Sequence, residues 1–295
     1  MSRPPITLPW IAISAVAELL AWLLLRAAVN NPAEFSRIEG VLLGTMSAYA
    51  YILGSVLCLK IAEEYKGAVW MRCGWLAFAG TAAISAIRYL LDSYVPALIW
   101  PAYASIRANG EFRQAALLTE FTLLLAGITA LWLGFWTLGL GFRLLRRDIA
   151  VMAVVMTLLV FLIFQRERLS EQHVGTALAV KLQLTSHIVL AMAAAGSIPL
   201  HRLCAQLSGG RMAQFMRLIV AYAVLRSGAI FVGMVVLGNS GSGWQGALTL
   251  LAWRSTPWIF ALAALIRAGM AESIIRSAHR QRVEQLPVCV MAPRP

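Results

Sequence analysis

The chain has 295 residues and a formal net charge of +12; 60% of its residues are apolar and only 13% are charged. An ordinary globular domain carries about 25% charged residues, and a soluble protein this poor in charge would expose apolar patches that promote aggregation. The composition therefore excludes a soluble protein and predicts an integral membrane protein. Helices are the expected elements, because a helix satisfies its own backbone hydrogen bonds in lipid.

The basic residues are distributed along the chain in a way that argues against a nucleic-acid partner. A nucleic-acid-binding protein gathers Lys and Arg on one accessible face. Here the 25 basic residues occur singly or in twos and threes between apolar runs. That distribution is typical of residues that orient membrane spans, so we expect a lipid bilayer and no nucleic acid as the partner.

Eight apolar segments follow one another, each near the roughly 20 residues that cross a bilayer. In chain order they are Ile6–Leu25, Val41–Leu59, Cys73–Leu91, Ala115–Phe142, Ile149–Phe164, Ala177–Leu200, Phe215–Leu237 and Gly246–Ile266. The sequence thus predicts an all-α polytopic transmembrane bundle of about eight spans. The fifth segment is the shortest, and if it does not cross, the count falls to seven and the C-terminus changes side.

The positive-inside rule orients these spans. With eight spans, 15 of the Lys and Arg residues fall in loops on one side and six in loops on the other. The side with the excess is expected to be cytoplasmic, which places both termini in the cytoplasm. We expect one transmembrane domain over residues 1–270 and a basic cytoplasmic tail over 271–295. The expected location is a bacterial cytoplasmic (inner) membrane.

Ionisable side chains inside the spans are the candidates for a functional site, because each costs a few kcal/mol or more at the bilayer centre. The candidates are Glu18, Arg88, Asp92, Glu120, Lys181, His187, Arg226 and Arg254. In the predicted orientation most of them lie in the outer half of the membrane. This bias favours a polar cavity that opens outward and binds a small anionic solute or a lipid headgroup.

The same charges have a purely structural interpretation, in which they pair with one another and fix the helix packing. Arg88 and Asp92 are one turn apart and can pair within one helix. Charges near span ends can extend to water, whereas Glu18 and Arg226 are too deep for that and are expected to form a pair or a ligand site. Thr256 is expected to satisfy a backbone carbonyl freed near Pro257.

No catalytic, metal or cofactor motif accompanies these charges. HExxH, Walker A and aspartate-rich metal motifs are absent from the sequence. Only one histidine, His187, lies well inside a span, whereas a membrane haem needs axial ligands on facing helices. We therefore expect no catalytic residues, no metal and no cofactor, and we favour a non-enzymatic role.

Three functions remain open from the sequence. The first is anion binding for sensing or transport; broken helices and inverted repeats typical of transporters are scarce, which favours sensing or a static site. The second is a non-catalytic subunit of a larger membrane complex, with protein partners docked on the basic tail or a second copy in a homodimer. The third is a lipid-modifying enzyme, with Glu120 or His187 as general base and the arginines holding phosphate.

Overall fold

The computed structural model describes residues 8–29, 32–98, 110–137, 145–169, 177–206, 211–231 and 255–266. Throughout these ranges the regular structure is helical, which confirms the predicted all-α class. The eight helices are α1 Leu8–Ala28, α2 Pro32–Glu64, α3 Val69–Leu98, α4 Glu111–Thr137, α5 Arg146–Leu169, α6 Ala177–Gln206, α7 Arg211–Phe231 and α8 Ser255–Ile266. The expected basic tail, 271–295, lies outside the described residues.

Four of these helices are long and apolar enough to cross a membrane. The qualifying segments are Val41–Glu64 of α2, Val69–Leu91 of α3, Glu111–Thr137 of α4 and Leu178–Leu200 of α6. Shorter apolar segments lie in α1 and α8. The fold is therefore compatible with an integral membrane protein, while the total of eight spans and the cytoplasmic termini stay predictions.

The surface of the bundle carries many large apolar side chains, most densely on α1 and α5. They are Trp10, Ile13, Val16, Leu19, Leu20, Leu23 and Leu24 of α1, and Ile149, Val151, Val154, Leu158 and Phe161 of α5. Patches of this size are unusual on soluble monomers. A lipid environment solvates them without cost.

The helices pack largely in chain order. Helix α2 packs on α1 and α3, α3 on α4, and α4 on α6, while α6 contacts α5 and α7. Helix α8 returns to the centre, where the buried Phe260 ring lies against Tyr51 of α2, Phe78 of α3 and Tyr222 of α7. Gly54 of α2 makes room for that ring, because a Cβ there would lie 2.8 Å from Phe260 Cδ1.

Glycines allow α3 and α4 to approach closely. A Cβ on Gly127 of α4 would lie 2.7 Å from Cε1 of the Phe78 ring, and one on Gly74 of α3 would lie 3.2 Å from the Gly127 carbonyl oxygen. Small residues at such contacts are typical of helix packing in membranes. The other face of α4 is joined to α6, because Trp132 Nε1 donates to the Gly196 carbonyl oxygen at 3.1 Å.

An ion pair joins the start of α5 to the end of α6. Asp148 Oδ2 accepts from the Leu145 backbone N–H at 2.8 Å, which caps α5, and lies 2.9 Å from Arg202 Nη1. An acidic residue in the first helical turn that bonds back to the preceding N–H is one half of a capping box. These two helix ends therefore share one end of the bundle, as the alternating loops of the predicted topology require.

Candidate functional site

Glu120 of α4 is the centre of a buried ion network between three helices. Its Oε1 lies 2.9 Å from Arg226 Nη2 of α7, and its Oε2 lies 3.3 Å from Arg88 Nη2 and 3.4 Å from Arg88 Nε of α3. Glu120 and Arg226 are completely buried and Arg88 is 5% exposed. We call Arg88, Glu120 and Arg226 the Glu120 cluster; its charges sum to one positive.

Hydroxyl groups surround the Glu120 cluster and connect it to a fourth helix. Arg226 Nη1 donates to Thr256 Oγ1 of α8 at 3.4 Å. Thr81 Oγ1 lies 3.5 Å from the Glu120 carbonyl oxygen and 3.0 Å from that of Ala77. The Thr256 hydroxyl thus accepts from a guanidinium, and its expected bond to a backbone carbonyl stays a prediction.

Three tyrosines lie on the α2 side of the cluster. The Tyr51 and Tyr222 hydroxyls are 3.5 Å apart, and the Tyr51 and Tyr89 rings stack with centroids 5.9 Å apart. Arg88 Cζ lies 4.8 Å from the centroid of the Tyr89 ring, which is cation–π distance. The Tyr89 ring thus covers the Arg88 guanidinium on one face.

Local sequence places these side chains together. Thr81, Ser85 and Arg88 are spaced four and three residues apart, so they lie on one face of α3. Tyr222 and Arg226 are likewise four apart on α7. Because helical side chains lean towards the helix N-terminus, Arg88 reaches back along α3 and meets Glu120 of antiparallel α4.

The arrangement strongly constrains the chemistry of Glu120. Both carboxylate oxygens accept hydrogen bonds from guanidinium groups, so the carboxylate is poorly placed to act as a general base. The guanidinium and hydroxyl groups are hydrogen-bond donors, which suits them to oxyanions. Within the described ranges no three His, Cys, Asp or Glu side chains come together as metal ligands.

Glu18 has a different setting from the Glu120 cluster. Its side chain is buried in α1, and its Oε2 accepts a hydrogen bond from Trp258 Nε1 of α8. Trp258 also packs against Tyr49 of α2, with ring centroids 6.3 Å apart. The acid that the structure shows at Arg226 is Glu120, and the expected partnership of Glu18 with Arg226 stays a prediction.

Two of the remaining candidates lie on α6. His187 of α6 is buried and Lys181 of the same helix is exposed. The Asp92 side chain and all of Arg254 lie outside the described residues. The intrahelical pairing of Arg88 with Asp92 therefore stays a prediction, while Glu120 is one partner that the structure shows for Arg88.

Sequence reasoning missed the polar but uncharged members of the site. These are Tyr51, Thr81, Ser85, Tyr89 and Tyr222. A usable signal was present, because Thr81 and Ser85 precede Arg88 on one helical face and Tyr222 precedes Arg226 by one turn. Charge inside an apolar span identifies the arginines and the glutamate, whereas neutral polar residues in the same spans carry no such signal.

Comparison of the chain with protein-family models, with curated proteins and with solved structures finds no match.

Proposed function

We propose that the protein is a multi-pass integral membrane protein that binds a small anionic solute or a lipid headgroup at the Glu120 cluster, for sensing or transport. The observation that carries the proposal is the pair of buried arginines, Arg88 and Arg226, which both contact the Glu120 carboxylate. Ionisable groups buried in a membrane protein are costly and commonly mark a ligand pathway. Guanidinium groups bind carboxylates and phosphates well because of their planar fork of donors.

The surroundings of the cluster also support an anion. Thr81, Ser85 and Thr256 bring hydroxyls to the same region, and the described charges of the cluster leave one positive in excess. A low-dielectric interior strengthens the attraction of such a site for a negative ligand. In the topology predicted by the positive-inside rule, the site lies in the outer half of a bacterial inner membrane.

Ligand-dependent stabilisation tests the proposal. The purified protein in nanodiscs of zwitterionic lipid is titrated with acetate, phosphate, sulfate and a short-chain phosphatidylglycerol, and its Tm is measured. A ligand that binds only the native state raises the Tm in a concentration-dependent way. We expect at least one of these anions to do so.

Matched arginine variants locate the effect. Arg226→Met and Arg88→Met should abolish the anion-dependent rise in Tm. Arg217→Met and Arg72→Met remove exposed arginines from the same two helices and should retain it. An equal rise in all four variants, or no rise in the unmodified protein, would contradict anion binding at this site.

A non-catalytic subunit of a larger complex is the second candidate, and one observation favours it. Both oxygens of Glu120 accept hydrogen bonds from Arg88 and Arg226, so the charges already neutralise one another in part. Without any ligand they would hold α3, α4 and α7 together. Copurification with a stoichiometric protein in mild detergent, together with no anion-dependent change in Tm, would support this role. A lipid-modifying enzyme ranks third, because both oxygens of Glu120 already accept hydrogen bonds from arginines and Glu120 is therefore poorly placed as a general base.

A further inference from the structure

Helix α6 contains a proline close to its end, and the helix continues through it. Pro199 lies seven residues before Gln206, the last residue of α6. Because proline has no backbone N–H, the carbonyl oxygen of Ala195, one turn earlier, has no helical donor. The proline ring also crowds the preceding turn, and helices commonly kink at such positions. Residues 200–206 are therefore joined to the rest of α6 by a weakened turn.

Two carbonyl oxygens in the turn before Pro199 accept hydrogen bonds from side chains. Ser197 Oγ donates to the Ala194 carbonyl oxygen at 2.6 Å. A serine hydroxyl that bonds back to the preceding turn often bends a helix. Trp132 Nε1 of α4 donates to the Gly196 carbonyl oxygen at 3.1 Å. This second donor belongs to another helix, so it fixes α6 to α4 at the turn that the proline weakens.

Beyond Pro199, the end of α6 is attached to the start of α5. Arg202 Nη1 lies 2.9 Å from Asp148 Oδ2, and the same carboxylate oxygen accepts from the Leu145 backbone N–H. The two charged side chains are only 14% and 7% exposed. An ion pair that is largely shielded from water attracts more strongly than one at an open surface. Asp148 therefore holds the end of α6 against α5.

The length of helix beyond the proline determines how far its end can move. Residues 200–206 form about 10 Å of helix, at about 1.5 Å per residue. A change of about 20° in the angle at Pro199, which is the size of a sharp kink, would displace the end by about 3.5 Å. Leu200 and Leu203 are buried in the core, and a much larger rotation would remove them from it.

We infer that Pro199 is a hinge about which residues 200–206 of α6 change angle. Two contacts hold the hinge in its present position, the hydrogen bond of Trp132 before the proline and the ion pair of Asp148 beyond it. Helix α4 carries both Trp132 and Glu120, so a displacement of α4 at the Glu120 cluster would reach the hinge through that hydrogen bond. The hinge itself does not depend on the proposed function, and its test uses no ligand.

Electron paramagnetic resonance measures the angle at the hinge as a distance between two nitroxide labels. One label is attached at Gln206→Cys and the other at the exposed native Cys73 of α3, with the other three cysteines replaced by alanine. The full-length protein is measured in nanodiscs, and we expect one narrow distance distribution. Asp148→Asn and Trp132→Phe should each add a second population, displaced by about 3.5 Å.

Matched variants separate these two contacts from a general loss of stability. Glu63→Gln removes an exposed acid near the end of α2. Trp136→Phe changes a tryptophan of α4 that is 70% exposed. Both should keep the single distance of the labelled parent chain. A second population in them as large as in Asp148→Asn would contradict the role of the two contacts.

Removal of the proline tests whether it is the hinge. Pro199→Ala restores the backbone N–H, so Asp148→Asn in that background should keep a single distance. Pro32→Ala lies in the first turn of α2, where the N–H has no helical acceptor, and should leave the second population in place. The hinge is refuted if Asp148→Asn gives the same second population with and without the proline. It is also refuted if neither Asp148→Asn nor Trp132→Phe changes the distance.

A label on the other side of the proline keeps the inference testable if Pro199→Ala does not fold. Lys181→Cys lies on α6 well before the proline, and Ile87→Cys of α3 serves as its reference in a chain without native cysteines; both positions are exposed. The distance between these labels should be the same with and without Asp148→Asn. An equal displacement at both ends of α6 would mean that the whole helix moves, which would overturn the hinge.

Discussion

The shared carboxylate of Glu120 predicts unequal costs for removing the members of its cluster. Breaking a buried ion pair by removing one partner costs about 3–5 kcal/mol. Arg226→Met leaves Glu120 in contact with Arg88, so we expect the free energy of unfolding to fall by an amount near the lower end, about 3 kcal/mol. Glu120→Gln removes the carboxylate that both arginines contact, so we expect the free energy of unfolding to fall by an amount near the upper end, about 5 kcal/mol.

The free energy of unfolding is measured by titrating sodium dodecyl sulfate into mixed micelles and following fluorescence of the chain's 10 tryptophans. A double-mutant cycle of Glu120→Gln and Arg226→Met should give a coupling of about 2 kcal/mol or more, because the two side chains are in contact. A companion cycle of Glu18→Gln with Arg226→Met should be additive within about 0.5 kcal/mol. Arg217→Met controls for the loss of an exposed arginine on α7.

Two results would refute this reasoning. One is a larger loss for Arg226→Met than for Glu120→Gln, since the carboxylate would then not be the shared partner. The other is a stronger coupling of Arg226 to Glu18 than to Glu120. Either would mean that the deep arginine depends on a different acid from the one at 2.9 Å.

Three further outcomes are expected from the packing and the predicted topology. Gly127→Val places a side chain against the Phe78 ring, 2.7 Å from its Cε1, and should lower the free energy of unfolding by about 1–3 kcal/mol. Trp258→Phe removes the indole N–H that Glu18 accepts and should cost about 1.5–3 kcal/mol in the same assay. Arg146→Cys should react with a membrane-impermeant maleimide only from the cytoplasmic side.

Each of these outcomes has a matched control. Gly67→Val, at a position with no atom within 4 Å of its Cβ, should change stability by less than about 0.5 kcal/mol. Trp132→Phe removes a hydrogen bond to the Gly196 carbonyl oxygen and should lower the free energy of unfolding by about 1 kcal/mol. If Trp132→Phe lowers it as much as Trp258→Phe or more, the stronger hydrogen bond expected between Trp258 and Glu18 is contradicted. Gly241→Cys should be labelled from the opposite side of the membrane to Arg146→Cys. Labelling of both cysteines from the same side would overturn the predicted topology.

Composition and apolar segments were sufficient to predict the helical class but not the limits of the helices. Hydropathy marks the stretch that matches lipid, whereas a helix continues wherever its backbone bonds can form. Helix α2 begins at Pro32, well before the predicted Val41, and proline is favoured in the first helical turn. Helix α3 likewise extends to Leu98, beyond the predicted Leu91.

The site was predictable as a set of residues and not as a set of contacts. Charge inside apolar spans identified Arg88, Glu120 and Arg226. Which acid meets which base depends on the lateral order of the helices, and α4 lies against α3 without any signal of that in the sequence. The acceptor role of Glu18 towards Trp258 was equally hidden, because the two residues are 240 positions apart.

The central position of α8 has a consequence for the biogenesis of the protein. Its Trp258 donates a hydrogen bond to Glu18 of α1, and its Phe260 ring packs in the space left by Gly54 of α2. Chains emerge from the ribosome N-terminus first, so the contacts of α8 with α1 and α2 can form only after the helices between them have been made. A chain truncated before Ser255 would lack Thr256, Trp258 and Phe260, and the remaining helices would be left with a gap where α8 packs. The helices that pack in chain order are thus expected to associate first, and α8 to close the bundle afterwards.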